Sequence, residues 1–279
     1  MLTVTGARRG ASRRPAPSPE QHYHAYIMER IEDFKNSLPR SELLRIGDEA
    51  VAMLDSAADG QFGLTEMLVL GKVDELIRKR LRLPAFKRWL RDFIPRRAAQ
   101  REPAHWGLEP AGPVACLLDR LEPEDLALLV GPATEGAALL LAAHDVQVVL
   151  VSDDMAAINR VETRAAGEAL GGRLSTHLVR FGGRALDHAL APETIVHVAL
   201  LDAAALAEAE QPARAAFVAD LQARTVDGGV HVLLPGDGRL APEAHLSLYL
   251  QAGWHREPGG GRRRGMAMQR GVSLLKPGD

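Results

Sequence analysis

The pattern of the chain changes at Leu126. From there, apolar runs of strand length alternate with stretches of helical periodicity: LALLVG at 126–131, VQVVLVSDD at 146–154, LSTHLVRF at 174–181, TIVHVALLD at 194–202 and the run inside VDGGVHVLLPGD at 226–237. Strands that are apolar throughout must be covered on both faces, and helices long enough to cross back between them are what a parallel sheet needs. GAALLLAAH after the first run, MAAINRVETRAAGEAL after the second and a helix over 213–223 supply such crossovers. The VDGG before the fifth run reads as a turn. A helix through LSLYLQAG, then WHREP, the loop GGGRRRG and MAMQRGVSLLKP read as a closing antiparallel hairpin.

The residues before this point have a different period. Tyr23, Ile27, Ile31 and Phe34 recur every three to four positions over 22–38, and Leu44, Val51 and Leu54 suit a second helix with Ser41 as its cap. A third helix over 64–83 has Thr65 as cap and Glu66 in its first turn, and Pro84 should end it. A short fourth, 85–94, should stop before Pro95. The expected organisation is a disordered arm, 1–20, an all-helical unit, 21–101, and an α/β domain, 102–279, with its strands beginning at Leu126. A chain of 279 residues accommodates two such units.

Cut after His105, the chain holds 19 Lys+Arg against 14 Asp+Glu in front and 15 against 22 behind, so the front half is basic and the rear acidic. The basic residues concentrate in IRKRLRLPAFKRWLRDFIPRRAAQR, 77–101, which carries ten Lys+Arg and one acid with Phe86, Trp89, Phe93 and Ile94 interleaved. Such a segment is open to two readings: its apolar side packs while the arginines stay solvated, or Arg88, Arg91, Arg96 and Arg97 bind RNA backbone, an anionic membrane surface or an acidic protein. Arg262–Arg264 would supplement either. No run nears the ~18 apolar residues of a membrane span. The arm has arginines but not the continuous apolar core of a secretory signal, and one cysteine, Cys116, forms no intrachain disulfide or Cys-rich zinc site. A cytoplasmic location is the default expectation.

The order of strand, glycine-containing turn and helix, repeated and finished by a hairpin, resembles the class I S-adenosylmethionine-dependent methyltransferases over about 170 residues. LLVGPATEGAALLLAA resembles the family's first, Gly-rich motif, VVLVSDD its second strand with a terminal acid, and TVDGGVHVLLPGD its fifth strand. The resemblance implies a Rossmann-like, mostly parallel seven-stranded sheet in the order 3-2-1-4-5-7-6, S-adenosylmethionine as cofactor and methyl transfer. A turn of small residues lets backbone approach a ligand, and the helix beyond it offers N–H groups to a carboxylate, which points to Gly131, Ala133 and Gly136. Glu135 in the same turn faces either the ligand's ammonium group or the helix N-terminus. An acid closing the second strand can accept the ribose hydroxyls: Asp153, with Asp154 second. The resemblance also places Phe181 and Gly182 beside the adenine and Asp202 near the methyl donor; the other reading of Asp202 and of the Asp153/Asp154 pair is as caps of the helices that follow.

The sequence departs from the family at Leu129, where an acid is usual, at Ala133, where glycine is usual, and at Pro132, which removes an N–H. The DAAA after the fourth strand is unlike the Asn/Asp-Pro-Pro-aromatic tetrad of exocyclic-amine base methylases. His177, His197 and His231 lie in three expected strands, but the implied order keeps His177 at one edge, away from the other two, so no metal site is expected. The resulting expectation is a methyltransferase acting on a small molecule. Two rivals are a catalytically inactive methyltransferase-like assembly protein and an RNA methyltransferase recruited by residues 77–101.

Overall fold

The computed structural model describes residues 14–57, 66–180, 185–235, 242–257 and 271–278. They form two compact units, Pro17–Arg96 and Arg97–Asp279, with residues 14–16 belonging to the second.

The first unit is helical: α1 (Pro19–Ser37), α2 (Arg40–Ala57), α3 (Glu66–Arg80) and the part of α4 (Phe86–Gln100) up to Arg96. Helix α1 starts inside the stretch expected to be an arm. Ser18 Oγ accepts the N–H of Gln21 while Gln21 Oε1 accepts that of Ser18, a reciprocal cap reinforced by Pro19 in the first turn. The apolar stripes meet in a core of Ile27, Ile31, Ile46, Ala50, Val73, Leu76 and Ile77. Trp89 and Phe93 stack with their centroids 4.3 Å apart, and the Tyr23 hydroxyl donates to the Pro84 carbonyl at 2.8 Å. Helix α4 does not stop before Pro95, as expected, but runs to Gln100. Pro95 removes one intrahelical bond on an exposed face where water can serve the freed carbonyl, and the buried Arg97 and Gln100 hold the turn beyond it.

The second unit contains α5 (Pro113–Leu117), then β1 (Leu126–Val130), α6 (Glu135–Ala143), β2 (Gln147–Ser152), α7 (Met155–Gly167), β3 (Leu174–Leu178) and β4 (Val196–Asp202). After these come α8 (Ala203–Glu208), α9 (Gln211–Arg224), β5 (Thr225–Leu234), α10 (Leu246–Leu250), β6 (His255–Arg256) and β7 (Val272–Leu275). The sheet order is β3-β2-β1-β4-β5-β7-β6; β1 to β5 are parallel and β7 runs antiparallel between β5 and β6. This is the order the resemblance implied, and the class I methyltransferase fold is the one the chain adopts. Period-two alternation in β1 sends Ala127 and Leu129 into the layer under α6, and Leu128 and Val130 into the layer with Phe217, Leu221 and Tyr249. Ala137–Ala143 of α6 is wholly buried, which is why that helix reads as uniformly apolar and small. The VDGG segment is not a turn before β5. It is an irregularity within it, since Val196 of β4 pairs with Thr225 and Val198 with Val230.

Candidate functional site

Connections from β1 run outward to β2 and β3, whereas β4 and β5 lie on β1's other side. The carboxyl ends of β1 and β4 therefore flank the switch point at which open parallel sheets hold ligands. Gly131 leaves β1 at φ +87°, a region that L side chains avoid, and a β-carbon there would lie 2.6 Å from Asp202 Cβ and 2.7 Å from Ala205 Cβ. The chain then makes a 3-10 turn, Pro132–Thr134, whose N–H groups are satisfied internally. Ala133 donates to Asp202 Oδ2 at 3.0 Å, Thr134 to the Gly131 carbonyl at 3.2 Å, and Glu135 to the Pro132 carbonyl. Thr134 Oγ1 adds a bond to the same Gly131 carbonyl at 2.7 Å.

Asp202 is buried, 2% exposed. Besides Ala133 it takes the N–H groups of Ala204 at 2.9 Å and Ala205 at 3.3 Å on Oδ1, so it both caps α8 and bridges β4 to the β1 turn. Asp154 caps α7 by accepting from Ala156 N at 2.8 Å. Its neighbour Asp153 is exposed at the end of β2, with no hydrogen bond or ion pair from its side chain among the described residues. Glu135, the first residue of α6, is held by Arg160 of α7 through Nη2 at 2.5 Å and Nε at 3.2 Å, a fork that also raises the affinity of Arg160 for its proton. At Gly136 packing by itself requires glycine: a β-carbon there would sit 2.7 Å from the Trp106 carbonyl oxygen.

The structure thus brings Gly131, Ala133, Glu135, Asp153, Asp154 and Asp202 to the carboxyl end of the sheet, with Gly136 following in the first turn of α6 against the Trp106 carbonyl. Phe181 and Gly182 lie outside the described residues, as do Arg262–Arg264. Arg160 was not singled out from sequence; it lies mid-helix, and nothing local marks a partner in another element. An adenosyl ligand finds a partial fit: Asp153 has the chemistry to take ribose hydroxyls, but the space beside Gly131 is filled by Asp202 and Ala205 and the N–H of Ala133 already has a carboxylate.

Of the four arginines expected to meet an anion, Arg88, Arg91 and Arg96 are exposed on α4; Arg91 Nε lies 3.6 Å from Asp92, and neither Arg88 nor Arg96 makes an ion pair among the described residues. Arg97 is a correction. It is buried, with Nη2 2.5 Å from Asp145 Oδ1, and Arg101 reaches the other oxygen at 3.0 Å, so its charge is spent inside the protein. His231 is fully buried between Thr225 Oγ1 at 2.8 Å and Tyr249 Oη at 3.1 Å, and burial pushes its pKa down to about 3. His197 Nδ1 accepts the Leu126 N–H at 3.1 Å, leaving Nε2 3.4 Å from Asp125. Among the described residues no group of three or more His, Cys, Asp or Glu side chains could hold a metal ion, and no helix is long and apolar enough to cross a membrane.

No protein-family model matches the chain, and no curated protein sequence matches it. Solved structures similar to it include the N-methyltransferase NodS from Bradyrhizobium japonicum, 11% identical over 67% of this chain and 99% of that one, TM-score 0.44. An rRNA methylase from Streptococcus thermophilus is 15% identical over 63% and 97%, TM-score 0.41. A SAM-dependent O-methyltransferase from Thermotoga maritima is 14% identical over 59% and 63%, TM-score 0.41. At these values the likeness is one of fold alone, and the strand order with its antiparallel β7 is what assigns that fold.

Proposed function

We propose that the 97–279 unit is a methyltransferase that takes a donor of the S-adenosylmethionine type over the carboxyl ends of β1 and β2. The observation that carries this reading is Asp153: an exposed carboxylate without a partner among the described residues, following the strand next to the switch point, where ribose hydroxyls are recognised in folds of this kind. Bound there, the donor supplies an electrophilic methyl group. The chain's contribution is placement, through Asp153 on the ribose and the small-residue turn at Gly131, with the acceptor approaching over β4. The proposed acceptor is a small molecule. Trp89 and Phe93 are stacked on each other within the helical unit, and the exposed side of α4 offers cations but no free ring on which a base could stack. Titration calorimetry with S-adenosylmethionine and S-adenosylhomocysteine tests the donor reading: micromolar binding abolished by Asp153→Ala supports it, and no binding at millimolar ligand contradicts it.

A second reading is favoured by one observation. The Asp202–Ala133 hydrogen bond ties up the turn that would contact a ligand, as in a domain that keeps the architecture and serves in assembly. The same titration separates the two.

A further inference from the structure

An S-adenosylmethionine tail carries a carboxylate beside its sulfonium and ammonium groups. The N–H donors of the 3-10 turn are committed: Ala133 to Asp202, Thr134 to the Gly131 carbonyl and Glu135 to the Pro132 carbonyl. Nor is there space between the turn and β4, since a single added carbon on Gly131 would come within 2.7 Å of both Asp202 Cβ and Ala205 Cβ. We infer that Asp202 takes the place of the ligand's carboxylate, so that the site selects an S-adenosyl ligand with a cationic tail and no carboxylate at this turn. The assignment rests on the donor reading above.

Charge supports it independently. The segments leaving β1, β2 and β4 carry Glu135, Asp153, Asp154 and Asp202. The guanidinium facing them is Arg160, already held by Glu135 and 3.9 Å from Asp154; Arg180 follows β3, one strand further out. A second carboxylate brought to this edge meets like charge and a turn whose Ala133, Thr134 and Glu135 N–H groups are already engaged, whereas an ammonium or sulfonium meets opposite charge. Asp202 cannot be displaced cheaply either, because leaving would strip three backbone N–H groups of their acceptor in a buried place.

The test is a calorimetric titration of the full chain with S-adenosylmethionine, with its analogue lacking the carboxylate (S-adenosyl-3-methylthiopropylamine), and with adenosine, on wild type and Asp202→Asn. The wild-type chain binds the analogue at least about tenfold more tightly than S-adenosylmethionine, and Asp202→Asn narrows that ratio to about threefold or less by gaining affinity for the carboxylate form. S-Adenosylmethionine binding as tightly as the analogue, or a ratio that a folded Asp202→Asn protein leaves unchanged, overturns the assignment. Should that variant not fold, the wild-type ratio decides alone. Adenosine binding without discrimination between the tails overturns this inference and leaves the donor reading standing; no binding of any of the three overturns both.

Discussion

The N–H of Ala133 donates to the carboxylate of Asp202 across 69 residues of sequence and 3.0 Å of space. This bond ties the turn leaving β1 to the end of β4, the two segments that border the switch point. It makes the turn a braced part of the α/β unit. The brace depends on Gly131, which lets the backbone pass Asp202 at a distance no side chain allows.

Gly131→Ala is therefore expected to destabilise the α/β unit by at least about 2 kcal/mol, from the left-handed φ together with the collision with Asp202 and Ala205. Urea unfolding monitored by circular dichroism measures this. A loss under about 0.5 kcal/mol, the scale of a neutral surface change, would show that the brace is absent.

Two ion pairs of similar geometry should differ widely in effect. Arg97 and Asp145 are both buried, so Arg97→Ala takes one of two arginine partners from a carboxylate in a poorly solvated place and should cost about 1.5–3 kcal/mol. Arg160 is 56% exposed, and Arg160→Ala should cost less than about 1 kcal/mol. Denaturant midpoints of the two variants check the contrast, and equal effects would contradict it.

Acid should loosen the α/β unit in a defined window. His231 has its folded pKa depressed from 6.5 to about 3, so above pH 6.5 neither state holds the proton and stability is at its plateau. Between 6.5 and 3 the unfolded chain takes up a proton that the folded chain refuses, and stability falls by up to about 1.4 kcal/mol per pH unit for this residue. His245 and His144 are shifted the same way by burial and steepen the slope. Stability measured at pH 7 and pH 5 should show the loss, and His231→Gln should reduce its slope by about one proton.

Replacing Arg88, Arg91 and Arg96 together by Gln should leave the Kd for an S-adenosyl ligand within about twofold, because these side chains are solvated and, among the described residues, Asp92 is their one ion-pair partner. An RNA-directed enzyme would instead lose RNA affinity and salt slope in this variant.

Much of the fold was legible because periodicity is a local signal. The runs at Leu126, Gln147 and Val196 are legible as buried strands and that at Leu174 as a strand, and the strand order followed from resemblance. The missed boundaries have physical causes. Pro95 was read as a stop, but buried anchors at Arg97 and Gln100 outweigh one lost hydrogen bond, and VDGG reads as a turn although β4 pairs on either side of it. The site was legible as a set of positions and not as a set of bonds. In sequence Asp202 reads as a cap or as a donor-facing acid, and its bond to Ala133 joins distant segments through backbone geometry that no local pattern encodes. Arg160 on Glu135, and the packing of Gly136 on the Trp106 carbonyl, escaped for the same reason.

The central claim is that an S-adenosyl ligand sits on the carboxyl edge of β1, β2 and β4, and amide-resolved NMR of the 15N-labelled chain titrated with S-adenosylmethionine to millimolar concentration tests it most directly. The account predicts saturable shifts concentrated at Gly131–Glu135, Ser152–Asp154 and Asp202–Ala205, all lost in Asp153→Ala. Absence of shifts, or shifts confined to the opposite edge around Ile195, Arg224 and Asp227, would contradict it.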